Sequence, residues 1–167
     1  MIERVASCAC GQVKMKVSGD PIVAAICHCD SCVAGAQMIE TLPNAAQVRD
    51  EFGGCPYLTY RDDRFEITEG AALLKGVKLS DAAPTTRFYA SCCNAGMYLK
   101  YQPGWWVSTY RYRYTGDLPP STMRNQVKPG MAVPSEPPVK NGFPPGLILR
   151  LLAARIAMHL ARKPCLP

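Results

Sequence analysis

No stretch of this sequence is both long and apolar enough to cross a bilayer, which takes about 20 residues. The nearest approach, Leu147 to Ala161, is interrupted by Arg150 and Arg155, so a membrane span is excluded. The opening residues Met1-Ile2-Glu3-Arg4 lack the apolar run of a secretory signal, and the compartments in which disulfides form are therefore not indicated. Charged residues are few at 19% and hydrophobic ones many at 48%, a balance that excludes disordered and collagen-like chains. There is no internal repeat, and 167 residues are enough for one core and no more than one ordinary domain. What the chain does have is cysteine, nine in all, a high and odd number for its length. In a reducing cytoplasm, the expected location, clustered cysteines are metal ligands or redox groups more often than bridges. The formal charge of +6 decides less: seven bound thiolates and two zinc ions would lower it to about +3, which suits an anionic small molecule, a nucleic acid or an acidic surface alike.

Along the chain, Val13, Met15 and Val17 alternate with polar neighbours, so Gln12 to Val17 reads as a half-buried strand. Gly19-Asp20-Pro21 turns the chain, and Ile22 to Ile26 reads as a second strand. Val33 to Glu40 suggests only a helical turn and an extended piece, and Ala45 to Phe52 two helical turns stopped by Gly53-Gly54. Short strands are expected at Tyr57 to Arg61, Phe65 to Thr68, Leu73 to Leu79, Thr86 to Ala90, Met97 to Tyr101 and Trp105 to Tyr114. Seven or eight such strands with little helix predict a mostly β domain over residues 1–118. Residues 119–145 hold eight of the 15 prolines, too many for regular helix or sheet, and read as a strap or linker. Residues 146–163 read as an amphipathic helix with Arg155, His159, Arg162 and Lys163 on one face, a candidate contact for a homo-oligomer.

The chemistry sits in the cysteines. Cys27-His28-Cys29-Asp30-Ser31-Cys32 places three thiols within six residues at the end of the second strand, where a tight turn can aim them at one point. Three ligands leave a tetrahedral zinc one position short, which separates a site capable of chemistry from one that only holds the fold. Cys8-Ala9-Cys10 and Cys92-Cys93 are two further pairs from distant parts of the chain, the usual way to close a four-cysteine structural zinc site. A thiol reaching a zinc loses its proton, and a thiolate is the nucleophile that adds to an aldehyde carbonyl. His28, between two ligands, is expected to point away from them. Arg61, Arg64, Arg87, Arg111 and Arg113 are candidate partners for substrate carboxylates, with no spacing to choose among them. Trp105, Trp106, Tyr110, Tyr112 and Tyr114 read as strand core and cross-strand pairs.

The order Cys8-x-Cys10-Gly11, a strand, a Gly-x-Pro turn, Cys27-His28-Cys29-x-x-Cys32 and a late cysteine pair resembles the glutathione-dependent formaldehyde-activating enzymes and the related centromere protein V, over about Cys8 to Tyr112. The resemblance implies a β-tent domain of short antiparallel strands with two zinc ions. One would be structural, on Cys8, Cys10 and the pair Cys92 and Cys93; the other catalytic, on Cys27, Cys29 and Cys32. It implies glutathione as the thiol, adding to formaldehyde in a carbon–sulfur lyase reaction run in reverse. The family's last cluster is Cys-x-x-Cys before a glycine, whereas Ala90 occupies the first of those positions here. Cys92 and Cys55 are the alternatives for the missing ligand, and Cys92 would require a kink because neighbouring strand residues face opposite ways.

The leading expectation is thus a cytoplasmic zinc-dependent carbon–sulfur lyase acting on a thiol or its aldehyde adduct. The alternative is a non-enzymatic zinc module that binds nucleic acid or a protein partner; scattered basic residues disfavour nucleic acid. A third reading has Cys55 closing the middle site, making it purely structural. An iron–sulfur cluster ranks below zinc.

Overall fold

The structure, a computed structural model, describes residues 2–161. Arg162 and Lys163, expected at the end of the terminal helix, lie outside the described residues. The expected mostly β architecture is present as two sheets. Strands β1 (Glu3–Ser7), β2 (Lys14–Ser18) and β5 (Phe65–Glu69) form a small antiparallel sheet. The large sheet runs in the order β10 (Met123–Asn125), β3 (Val23–Cys27), β4 (Cys55–Arg61), β9 (Trp106–Tyr110), β8 (Ala95–Tyr101), β7 (Thr85–Ala90) and β6 (Leu74–Val77). Two helices complete it, α1 (Asp30–Glu40) and α2 (Pro145–Ala161).

Strand alternation assigns the two faces of the large sheet. On β4 and β9, Leu58, Tyr60 and Val107 point toward the small sheet and join Ala6, Met15 and Val17 in the main core. The intervening residues, Tyr57, Thr59, Trp106 and Ser108, line a chamber on the opposite face. At one end of that face Ala36 and Ile39 of α1 pack with Tyr57, Leu99 and Tyr110. At another, Leu147 and Leu151 of α2 reach over it, and the Trp105 indole N–H donates to the Leu151 carbonyl at 2.9 Å.

Several local expectations are corrected. Residues 33–40 are not a turn and an extended piece but most of α1, whose first turn is capped by a sulfur: Cys29 Sγ accepts from the Cys32 amide at 3.4 Å. Residues 45–52 are not helical, because their amides are claimed by carboxylates. Glu40 accepts from the Val48 and Arg49 amides, and Asp50 from Phe52 and Gly54. The strand expected to reach Tyr114 ends at Tyr110 in a 3-10 turn over Arg111–Arg113, with Arg111 donating to the Pro119 carbonyl. β1 was not expected, since Ala6 is its single fully buried residue and no apolar alternation marks it. The proline-rich segment does enter a sheet: β10 adds in parallel to β3, at an edge, the one position where proline-rich neighbours are tolerated. In α2 the inward stripe is Leu147, Leu151, Ala154 and Met158, whereas Leu149, Leu152, Ile156 and Leu160 face solvent. Arg155 lies with its guanidinium 4.6 Å from the Trp105 ring centroid. Among the described residues, no helix is long and apolar enough to cross a membrane.

The strap is pinned by a buried ion pair. Arg124 of β10 donates to Asp50 at 2.8 Å, with side chains 5% and 10% exposed respectively. Removing one partner of such a pair strands the other charge, at a cost of about 3–5 kcal/mol. Asp50→Ala is expected to lower the folding free energy by about that amount, read from the urea midpoint; a loss under about 1 kcal/mol would show that the pair does not hold strap to loop.

Candidate metal centre

Two groups of thiols form. The Sγ atoms of Cys8, Cys10, Cys92 and Cys93 lie within 4.8 Å of one another, as do those of Cys27, Cys29 and Cys32. All eight cysteines among the described residues are free thiols.

The four-cysteine group joins the two sheets. Cys8 and Cys10 lie in the turn between β1 and β2, and Cys92 and Cys93 in the turn between β7 and β8. Adjacent cysteines converge here because they stand in a turn rather than a strand, and Asn94 takes a left-handed backbone (φ 54°) to close it. The sulfur separations are 3.6 Å for Cys8–Cys10, 3.8 Å for Cys8–Cys92, 3.3 Å for Cys10–Cys92 and 4.0 Å for Cys92–Cys93. Zinc–sulfur bonds of about 2.3 Å in a tetrahedron require sulfur–sulfur edges of about 3.8 Å, so the donor set fits a zinc ion. Against the raising effect of burial, amide and thiol hydrogen bonds, first that of Val13, bring Cys8 down to about 7, while burial and the bonds to Cys10 and Cys8 push Cys92 up to about 12.

The three-cysteine group is built at the strand-to-helix junction. Cys27 ends β3, Cys29 caps α1 and Cys32 sits in the first helical turn. Hydrogen bonds from the Cys27 and Cys32 thiols bring Cys29 down to about 2, and the helix N-terminus favours a thiolate at the same place. Its hydrogen bond with Cys29 pushes Cys27 up to about 11, and bonds to both neighbours raise Cys32 well above the ordinary thiol range. A cation held among the three would favour the thiolate form of each.

Cys27, Cys29 and Cys32 all border the chamber on the sheet face, a cavity of about 460 Å³. Cys55, facing Cys27 across the β3–β4 ladder, is not in the thiol group. It is fully buried, its thiol donates to the Cys32 carbonyl at 3.4 Å, and burial pushes it up to about 12. His28, one residue out of phase with Cys27, turns to the opposite face, where Nε2 lies 3.2 Å from Arg124 Nη1. Gly54 gives it room, since a Cβ there would come within 2.6 Å of the imidazole.

Of the five arginines left open by sequence, Arg87 alone lines the chamber. It is 1% exposed, and Nη2 donates to the carbonyl and hydroxyl of Ser31, at 2.5 and 2.8 Å. Arg61 pairs with Asp63, Arg111 reaches the Pro119 carbonyl and Arg113 the Gln47 carbonyl. Trp106 borders the chamber, Trp105 anchors α2, Tyr110 and Tyr114 are buried, and Tyr112 is exposed. The lining from Met123, Leu147 and Leu151 was missed, because no local signal says that the strap and α2 fold back over β3 and β4.

Gly35 of α1 lies against Arg87: an added Cβ would fall 1.8 Å from Nε. Gly35→Ala should displace the guanidinium from Ser31 and cost about 1–3 kcal/mol, measured by urea denaturation. An unchanged midpoint would show that Arg87 does not brace the cysteine turn.

The sequence pattern of the glutathione-dependent formaldehyde-activating enzymes matches residues 3–54. No curated protein matches the chain. A crystal structure of a Rhodobacter sphaeroides protein aligns with it at a TM-score of 0.47 and 15% identity, covering 69% of this chain and 91% of that one. The matched span contains Cys8 and Cys10 and the whole turn from Cys27 to Cys32. Over residues 3–54 the chain is accordingly similar to the glutathione-dependent formaldehyde-activating enzymes.

Proposed function

We propose that the protein is a zinc-dependent enzyme of carbon–sulfur lyase type, acting in the cytoplasm on a thiol and an aldehyde or on their adduct, with glutathione and formaldehyde as the pair the family name points to. One observation carries the reading: the three thiols that could hold a metal border an open chamber, and the nearby Cys55 thiol is turned to a backbone carbonyl instead. Cys27, Cys29 and Cys32 would hold the catalytic zinc, and Cys8, Cys10, Cys92 and Cys93 the structural one.

When bound at the three-cysteine site, zinc supplies a place where an incoming thiol gives up its proton at neutral pH. The chain's own part is positional and electrostatic. Hydrogen bonds from the Cys27 and Cys32 thiols, helped by the backbone amides at the start of α1, favour the Cys29 thiolate, the form that would hold a cation. Arg87, bonded to Ser31 between two of the ligands, sets positive charge beside a site whose three thiolates and one divalent ion would sum to −1. The largely apolar chamber wall lowers the local dielectric and so strengthens these interactions. In the addition direction, the sulfur lone pair forms a bond to the carbonyl carbon, the carbonyl π pair moves to oxygen, and that oxygen takes up a proton to give a hemithioacetal. The lyase direction is its reverse. His28 takes no part, since its ring lies on the other side of the sheet.

Purified protein is expected to hold about two zinc ions per chain. Cys29→Ser should remove one of them and lower turnover of the adduct at least about hundredfold while the circular dichroism spectrum is kept; Cys55→Ala should retain both ions. Activity that survives Cys29→Ser contradicts the catalytic assignment, and a zinc ion lost with Cys55→Ala would mean that the middle site is closed by the protein itself.

A further inference from the structure

The chamber over the three thiols continues into a second cleft. Val23, Met123 and Leu147 line both, so spaces of about 460 and about 190 Å³ meet where the Val23 end of β3, the strap and the start of α2 come together. Val23, Ala25 and Cys27 face the chamber in turn. At a strand rise of about 3.3 Å per residue, Ala25, which pairs with Met123, stands roughly 7 Å from Cys27, and Val23 roughly 13 Å.

Charge is divided along this path. At the cysteine end stands Arg87, bonded to Ser31 and with its Nε and Nη1 buried without partners. At the far end the cleft presents Lys140 and Arg150. No carboxylate lines either space, and residues 137–161 contain no Asp or Glu. Among the described residues, neither Lys140 nor Arg150 belongs to an ion pair. Both side chains are exposed, yet both rise from held backbone. The Lys140 amide donates to the Arg124 carbonyl at 2.8 Å, which fastens it beside β10. Arg150 precedes Leu151, whose carbonyl takes the Trp105 indole N–H.

Glutathione matches this path in length and in charge. An extended tripeptide spans roughly 10 Å, enough to join a sulfur at the cysteine cluster to a terminal carboxylate over Met123, where long side chains from the strap and α2 can meet it. Its two ends are not alike. The γ-glutamyl end carries an ammonium beside its carboxylate, which would set like charge against the two cations with no acid to offset it. The glycyl end is a bare carboxylate, the group that lysine and arginine hold by charge-assisted hydrogen bonds.

We infer that Lys140 and Arg150 seat the glycyl carboxylate of glutathione, so that the strap and α2 select a thiol carrying a carboxylate at that distance from its sulfur. The inference rests on the thiol–aldehyde reading of the site and assigns the residues that recognise the far end of the substrate.

The test is calorimetric binding of glutathione, its glycyl ethyl ester and 2-mercaptoethanol to the full, zinc-loaded chain. The ester keeps the thiol and the γ-glutamyl end, and is expected to bind at least about fivefold more weakly than glutathione. The double variant Lys140→Ala with Arg150→Ala should weaken glutathione about tenfold or more, while changing the ester and 2-mercaptoethanol by less than about twofold. Both side chains are exposed, so the fold is kept; Lys140→Gln and Arg150→Gln, made singly, should each weaken glutathione about threefold. An ester that binds as tightly as glutathione, a double variant that leaves glutathione unaffected, or one that weakens all three thiols alike overturns the inference and leaves the thiol–aldehyde reading standing. If none of the three binds the folded, zinc-loaded chain, both fall.

Discussion

Three sulfur atoms drawn to one point repel one another as soon as more than one is ionised. The chain gathers Cys27, Cys29 and Cys32 within 4.8 Å and then stabilises a single thiolate, Cys29, leaving its two neighbours raised. Such a cluster could hold a cation, and the elements around it would then be its supports. β3 delivers Cys27, α1 starts on Cys29, Arg87 braces Ser31, and Gly35 is small so that Arg87 can lie against the helix. The four-cysteine group lies at two hairpin turns, where a cation would join the two sheets.

Alternation along the strands then separates two jobs. One face of the large sheet closes the core against the small sheet, and the other opens as the chamber. Because the period is two, Cys27 and His28 fall on opposite faces: one belongs to the thiol cluster, the other to the buried network of Arg124 and Asp50. The strap serves both. Met123 and Asn125 border the chamber while Arg124, between them, locks the loop behind it.

The sequence made the thiol groups legible because spacing alone brings Cys27, Cys29 and Cys32 together, and because two hairpin pairs can converge without knowing the rest of the fold. The strands with apolar alternation were legible for the same local reason. What escaped reading depends on contacts distant in sequence. Residues 45–52 lose their helix to the carboxylates of Glu40 and Asp50. α1 gains its start from a cysteine, a residue outside the usual capping set. Nothing in Leu147 or Leu151 announces that they cover a cysteine turn more than a hundred residues earlier.

The claim on which the account turns is that one zinc site is complete and the other is one sulfur short. Zinc X-ray absorption on the loaded protein, with and without added thiol, reads this directly. With four and three protein sulfurs at the two sites, the average should be about 3.5 sulfurs per zinc, rising to about 4 when a thiol is added. An average of about 4 before any thiol is present, unchanged by its addition, would mean that the protein already fills the last position, and would contradict the account.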